Sequence, residues 1–174
     1  MKNILITGPA GIGKTTLIRR LSEIFKEFNP AGFYTSEITE DGNIAGYSVT
    51  NLFGDSKLLA HTSLKSKSVS GKYHIDIKGF EALLEAIFSR DKKTGLYFID
   101  EIGKIECQSK KFCKLIGDLL NADKPLIASI SEKGTGLIQE IKKREDVKLY
   151  EITSHNPEQR LKELTMEIRD LLLD

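Results

Sequence analysis

A glycine-rich segment near the first residue constrains this chain more than any other feature. Gly8 to Thr15 reads GPAGIGKT and completes the pattern GxxxxGK[ST]. A short apolar run, Asn3 to Thr7, precedes it, and from Lys14 to about Phe28 apolar residues recur three and four positions apart. This order predicts a buried strand, a tight turn and an amphipathic helix. Such a turn can surround a phosphate group with backbone N–H groups and the positive end of a helix.

The residue types in this loop match what phosphate binding requires. Glycine lets successive N–H groups point inward without a Cβ in the way. Lys14 can reach the β- and γ-phosphates, and the Thr15 hydroxyl can ligate magnesium. The residues predicted to bind nucleotide are Gly8, Pro9, Ala10, Gly11, Ile12, Gly13, Lys14, Thr15 and Thr16.

A second candidate segment is an apolar strand that ends in two carboxylates. Leu96 to Ile99 is followed directly by Asp100 and Glu101. The carboxyl ends of parallel strands face the ligand crevice, so Asp100 is predicted to hold Mg²⁺ together with Thr15. Glu101 is predicted to polarise the attacking water. The alternative is that both carboxylates only end the strand and cap the next segment.

Other charged residues leave their roles open. Lys104 either neutralises charge on the transferring phosphoryl group or is a solvated surface lysine, and the same choice holds for Lys72 in the polar stretch LKSKSVSGK.

Asp100 to Gly103 matches DxxG, yet Asn121 to Lys124 reads NADK and no NKxD follows. Selectivity for guanine therefore has no support.

The rest of the chain predicts a three-layer α/β fold in one domain, 1–174, with a mainly parallel central sheet and an antiparallel β insertion. The insertion is a hairpin of two β-prone segments followed by two shorter strands. The predicted strands there are Gly32 to Ile38, Ile44 to Leu52, Ser56 to Thr62 and Lys72 to Ile77, and the predicted helices are Phe80 to Phe88, Lys111 to Leu120, Leu137 to Lys143 and a last one reaching Leu173.

Composition excludes several classes of protein. The 26 basic and 25 acidic residues leave a net charge of +1, which gives no general attraction to nucleic acid or to an anionic membrane. No apolar stretch approaches the roughly 20 residues that span a bilayer. Cys107 and Cys113 lack histidines at zinc-site spacing, which predicts reduced thiols in a cytoplasmic protein.

Three segments together resemble one family. GPAGIGKTTLI, GFYTSEI and IDEIGKIE are similar to segments of the nucleoside-triphosphatases first named from thermophiles, whose vertebrate relatives are called cancer-related nucleoside-triphosphatases. The resemblance implies a RecA-like P-loop fold and slow, base-tolerant hydrolysis of triphosphates with Mg²⁺. It also implies Glu101 as the base and Lys104 as a charge-stabilising group. The chain departs from the family at Lys72, where arginine is frequent, and at Pro157, where Asn-Arg is frequent in place of Asn156-Pro157.

The predicted activity is therefore Mg²⁺-dependent hydrolysis of nucleoside triphosphates by Lys14, Glu101 and Lys104. Two alternatives remain at this stage. One is a small P-loop kinase, although its candidate lid, Leu64 to Lys72, contains no arginine. The other is a nucleotide-switched binding module that uses the β insertion as its partner surface. Base preference, protein partners and oligomeric state do not follow from the sequence.

Overall fold

The computed structural model describes residues 1–89 and 93–173, so 90–92 and 174 of the predicted domain 1–174 lie outside the described residues. Within residues 1–89 and 93–173, a nine-stranded sheet forms the centre of the fold, in the order β5-β6-β4-β3-β2-β7-β8-β1-β9. The strands are β1 (Asn3–Thr7), β2 (Ala31–Glu40), β3 (Asn43–Asn51), β4 (Ser56–His61), β5 (Val69–Ser70), β6 (Tyr73–Ile75), β7 (Tyr97–Ile102), β8 (Leu126–Ile130) and β9 (Val147–Glu151).

The sheet is mixed, and β2 belongs to both of its parts. Strands β2, β7, β8, β1 and β9 pair in parallel, whereas β3, β4, β6 and β5 extend from β2 in antiparallel pairs. The predicted antiparallel insertion is thus a continuation of the central sheet. Gly32 makes the junction possible, because a Cβ there would lie 1.8 Å from the carbonyl oxygen of Phe98 on β7.

Five helices of the described residues cover the sheet, and two of them differ from prediction at their ends. They are α1 (Lys14–Ile24), α2 (Ile77–Phe88), α3 (Lys110–Asn121), α4 (Leu137–Lys142) and α5 (Pro157–Leu173). Helix α1 ends at Ile24, before the predicted end near Phe28, and a 3₁₀ turn, Lys26–Phe28, follows it. Asn29, with a φ of 50°, then leaves the helical conformation, which the following Pro30 disfavours at this position. Helix α2 begins earlier than predicted, since the Asp76 carboxylate accepts a hydrogen bond of 3.0 Å from the N–H of Gly79.

Two apolar cores lie on opposite faces of the sheet, which confirms the three-layer α/β fold. One joins the sheet to α2, α3 and α4, and the rings of Phe33, Phe80 and Phe112 meet in it with centroids 5.5–6.3 Å apart. The other joins the sheet to α1 and α5 around Ile18 and Leu164. Burying each such side chain contributes about 1.5–3 kcal/mol.

Within the described residues, no helix has both the length and the apolar character required to cross a membrane.

Candidate active site

The glycine-rich loop lies between β1 and α1, at the carboxyl end of β1. Gly11 and Gly13 have φ angles of 75° and 108°, a backbone region that side chains with a Cβ rarely adopt. A Cβ at either position would meet no atom within 4 Å. The loop therefore has open space along its backbone, which is what close approach of a phosphate requires.

Lys14 lies inside this loop. The side chain is buried, and its ammonium donates to the carbonyl oxygens of Gly8 at 2.8 Å and Pro9 at 3.0 Å. These contacts hold the positive charge at the start of α1, next to the positive end of the helix. An anion entering the loop would meet both charges at once.

Asp100 connects the phosphate loop to the acidic strand end. Its Oδ2 accepts from the Thr15 hydroxyl at 2.7 Å, from the Thr35 hydroxyl at 3.1 Å and from the Thr35 N–H at 3.2 Å. Its Oδ1 accepts from the Ser129 hydroxyl. The structure thus brings together Thr15 and Asp100, as predicted, and adds Thr35 and Ser129, which sequence reasoning missed.

The donor set around Asp100 fits a magnesium ion. One carboxylate and the hydroxyl of Thr15 are hard oxygen donors, and Mg²⁺ in nucleotide sites takes one or two carboxylates and completes its shell with phosphates and water. Thr15 and Asp100 are the residues that would hold Mg²⁺ here.

Glu101 follows Asp100, and its side chain is held by the residue that follows β8. Its Oε1 accepts from the Ser131 hydroxyl at 2.9 Å, just beyond the end of β8. Burial raises the pKa of Glu101, and the Asp100 charge acts in the same direction, while the Ser131 hydrogen bond and Lys14 oppose them. The peptide bond between Asp100 and Glu101 is cis.

A second carboxyl group, that of Glu106, is buried close enough to Glu101 to feel its charge. The side chain is 6% exposed, and burial, with the charge of Glu101, raises its pKa to about 8. Glu106 and Ser131 converge on Gly103, where a Cβ would lie 2.9 Å from Glu106 Oε2 and 2.9 Å from Ser131 Oγ. The sequence analysis did not identify Glu106. Its sequence signal is that it stands between two apolar residues, three positions after the end of the DEIG segment.

Lys142 fixes the segment that carries Ser131. Its ammonium, on the last residue of α4, donates to the carbonyl oxygens of Ser131 at 2.7 Å and Glu132 at 2.8 Å. Burial lowers the pKa of Lys142, with the Glu132 charge opposing the shift. The contact ties the chain after β8 to α4 and holds the Ser131 hydroxyl against Glu101.

The other predicted basic residues stand apart from these contacts. Lys104 is exposed just after β7, and its side chain makes no hydrogen bond or ion pair with the part of the chain that the structure describes. Lys72 is exposed in the turn between β5 and β6, 5.3 Å from the Tyr73 ring centroid. Five strands separate β6 from β1, so Lys72 lies toward the opposite end of the sheet from the phosphate loop.

The two cysteines take no part in this site. Both are free thiols, and Cys113 Sγ lies 3.5 Å from the carbonyl oxygen of Cys107. Burial raises the pKa of Cys107 to about 12, so its thiol stays protonated near neutral pH.

Comparisons with known proteins match this protein over nearly the whole length of the chain. The NTPase family model matches residues 3–168. The chain is 38% identical over 165 residues to the nucleoside-triphosphatase THEP1 of Thermotoga sp. (strain RQ2), covering 92% of each chain. It is 33% identical over 171 residues to the Homo sapiens cancer-related nucleoside-triphosphatase, covering 89% of this chain and 90% of that one.

Solved structures give the same result. The crystal structure of THEP1 from the hyperthermophile Aquifex aeolicus matches with a TM-score of 0.86 at 28% identity, over 95% of this chain and 98% of the other. The solution structure of a human cancer-related nucleoside triphosphatase matches with a TM-score of 0.80 at 30% identity, over 98% of each chain. Because sequence and fold agree from the phosphate loop to the last helix, this protein belongs to the nucleoside-triphosphatase family.

Proposed function

We propose that this protein hydrolyses nucleoside triphosphates to diphosphate and phosphate in a Mg²⁺-dependent reaction with Glu101 as general base. The observation that carries the proposal is the 2.7 Å hydrogen bond between Thr15 and Asp100, which joins the phosphate loop to the acidic strand end. Glu101, the next residue, therefore lies at the edge of the same site. The relatives' names support hydrolysis as the reaction.

In this proposal the loop backbone and Lys14 bind the phosphates. The ammonium of Lys14 leaves the carbonyl oxygens of Gly8 and Pro9 and donates to β- and γ-phosphate oxygens, which are stronger acceptors because they are charged. Thr15 and Asp100 hold Mg²⁺, which supplies neutralisation of charge on the β- and γ-phosphates when it is bound. Most of the rate comes from this positioning and electrostatic stabilisation.

Glu101 acts on the water molecule. Its carboxylate accepts one proton from water while the water oxygen forms a bond to the γ-phosphorus. The bond from that phosphorus to the β,γ-bridging oxygen breaks, and its electron pair leaves with the diphosphate. The Ser131 hydroxyl keeps the carboxylate in one orientation throughout. Lys104 is proposed to extend its exposed ammonium over the transferring group and neutralise part of its charge.

The variant Glu101→Gln tests the role of the base. The amide cannot accept the proton, so turnover should fall by ~10²–10⁴-fold while nucleotide still binds. Turnover is measured as phosphate release from ATP, GTP, CTP and UTP, with Mg²⁺ and with EDTA. Glu151→Gln is a control, because Glu151 is an exposed carboxylate at the carboxyl end of β9, a strand separated from β7 by β8 and β1.

Each outcome of this assay bears on a different part of the proposal. Normal turnover in Glu101→Gln would remove Glu101 from the mechanism, and equal rates in EDTA would remove Mg²⁺. Phosphate release that requires an added metabolite acceptor would instead indicate a small-molecule kinase. Similar rates with the four nucleotides would support base-tolerant hydrolysis.

A further inference from the structure

A groove beside α1 remains outside the site described so far. It has a volume of about 410 Å³ and runs between the exposed face of α1 and the first strands of the antiparallel part of the sheet. This volume lies within the range of roughly 300–1,000 Å³ that small-molecule sites occupy. Its lining residues are Thr16, Arg19, Arg20, Ser22, Glu23, Tyr34 and Leu52.

The groove begins where the phosphate loop ends. Thr16 lines the end of the groove nearest the phosphate loop. It directly follows Lys14 and Thr15, the residues that bind the phosphates and the metal in the proposed reaction. Helix α1 rises about 1.5 Å per residue, so Arg19 lies only about 4.5 Å further along the axis than Thr16. A nucleoside attached to phosphates in the loop is long enough to reach it.

Inside the groove, the Arg19 guanidinium lies over the Tyr34 ring, and the two groups form a platform. The guanidinium carbon of Arg19 lies 4.6 Å from the centroid of the Tyr34 ring. Arg19 is exposed and makes no hydrogen bond or ion pair with residues 1–89 or 93–173, so its guanidinium is available to a ligand in the groove. Guanidinium groups and aromatic rings both stack on nucleobases.

The other charged residues of the groove already have partners. Arg20 donates to the two carboxylate oxygens of Glu158 at 2.5 and 3.2 Å. Glu23 accepts from Lys26 at 2.8 Å. Arg19 is therefore the charged side chain of the groove that is left for a ligand.

We propose that this groove is the nucleoside subsite, in which the base of the triphosphate stacks on the Arg19 guanidinium above the ring of Tyr34. The proposal rests on the proposed nucleotide function and deepens it. Stacking uses the π-face that every base has, and neither Arg19 nor Tyr34 presents a paired donor and acceptor to a base edge. The subsite therefore accepts purines and pyrimidines, with purines bound more tightly because their larger rings stack over more area.

Binding measurements on the full-length protein test the subsite. Calorimetry with Mg²⁺ and the β,γ-imido analogues of ATP and CTP reports on base and phosphates together, and inorganic tripolyphosphate reports on the phosphates alone. Arg19→Ala should weaken binding of the ATP analogue at least about fivefold and up to about 100-fold, the range for base stacking, and leave tripolyphosphate within about twofold. Tyr34→Leu, which removes the platform under Arg19, should act in the same direction.

Two further variants separate stacking from charge. Arg19→Lys keeps the charge and loses the planar face, so it should resemble Arg19→Ala. Arg169→Ala, which removes an equally exposed arginine from α5, should bind every ligand like the wild type. A thermal melt of each variant establishes that it is folded before binding is measured.

The proposal would be overturned by two results. If Arg19→Ala weakens tripolyphosphate and the nucleotide analogue equally and Arg19→Lys restores both, Arg19 binds phosphate and not the base. If none of the variants changes the affinity for the analogues, the base lies elsewhere. Phosphate release by the wild type is a separate measurement. If the wild type released no phosphate, hydrolysis would be refuted. A loss of affinity in Arg19→Ala that affects the nucleotide analogue and not tripolyphosphate would still locate the nucleoside subsite.

Discussion

Replacing Lys142 with methionine tests whether the chain after β8 positions the proposed catalytic glutamate. The lysine ammonium binds two carbonyl oxygens, of Ser131 at 2.7 Å and of Glu132 at 2.8 Å, and the Ser131 hydroxyl binds Glu101 at 2.9 Å. Methionine has a similar length and fills the same space but donates no hydrogen bond. Lys142→Met therefore releases this segment without opening a large cavity.

The size of the effect follows from these contacts. A hydrogen bond with one charged partner contributes about 1.5–3 kcal/mol, and the two bonds share one ammonium, so they do not add in full. The carbonyl oxygen of Glu132 is near solvent and regains water in the variant. The free energy of unfolding should fall by about 2 kcal/mol, which lowers the Tm by about 4–8 °C for a chain of this size.

Turnover should fall for a separate reason. If Ser131 no longer orients Glu101, the transition state loses about 1.5 kcal/mol, which corresponds to roughly a tenfold lower kcat. Nucleotide affinity should stay within about twofold, because Lys142 contacts none of the phosphate-loop residues. Phosphate release at saturating ATP, calorimetric binding of the imido analogue and thermal melts measure these three quantities.

Matched variants decide how the result is interpreted. Lys143→Met removes the exposed neighbouring lysine and should change none of the three quantities, and Lys142→Arg keeps the charge and should recover most of the kcat. A variant Lys142→Met that loses stability but keeps the wild-type kcat would refute the positioning argument. An equal loss of affinity and kcat would place the effect on binding instead.

Two further predictions concern buried groups. Glu106 has its pKa raised from 4.5 to about 8 in the folded protein. Between these two pH values the folded protein keeps the proton and the unfolded chain loses it, so the free energy of unfolding falls as the pH rises from 4.5 to about 8. Glu106→Gln should flatten this loss, of at most about 5 kcal/mol, in urea titrations at pH 5 and 8.5; parallel pH profiles for variant and wild type would contradict it. Gly32→Ala places a Cβ 1.8 Å from the Phe98 carbonyl oxygen and should cost more than about 4 kcal/mol, whereas Gly117→Ala, with no atom within 4 Å, should stabilise α3 by about 0.5–1 kcal/mol. A folded Gly32→Ala protein with wild-type Tm would refute the steric argument.

Much of the fold was predictable because its signals are local. The alternation of short apolar runs and helical periods located β1, α1, α3, α4 and α5 within a few residues of their observed bounds. The prediction was less accurate where a capping side chain or the pairing of a very short strand sets an element's limits. Helix α2 begins at Ile77 because Asp76 caps it, and the two-residue strand β5 exists through pairing with β6.

The site was predictable in part for the same reason. Gly8 to Thr15 carries a pattern within one segment, and Asp100 and Glu101 end an apolar strand, so both could be recognised without a structure. Thr35 and Ser129 could not. Each is an unremarkable hydroxyl residue within its own strand, and its role arises from a hydrogen bond to Asp100 across the sheet.

By itself the sequence determined the phosphate loop, the acidic strand end and the α/β class, because each depends on residues adjacent along the chain. Only the tertiary structure decided that β8 inserts between β1 and β7, which brings Ser129 to Asp100 and Ser131 to Glu101. It also decided that Arg19 meets Tyr34 beside α1. Such contacts depend on strand order and helix packing, which are set by the energy of the whole core and leave no pattern in any one segment.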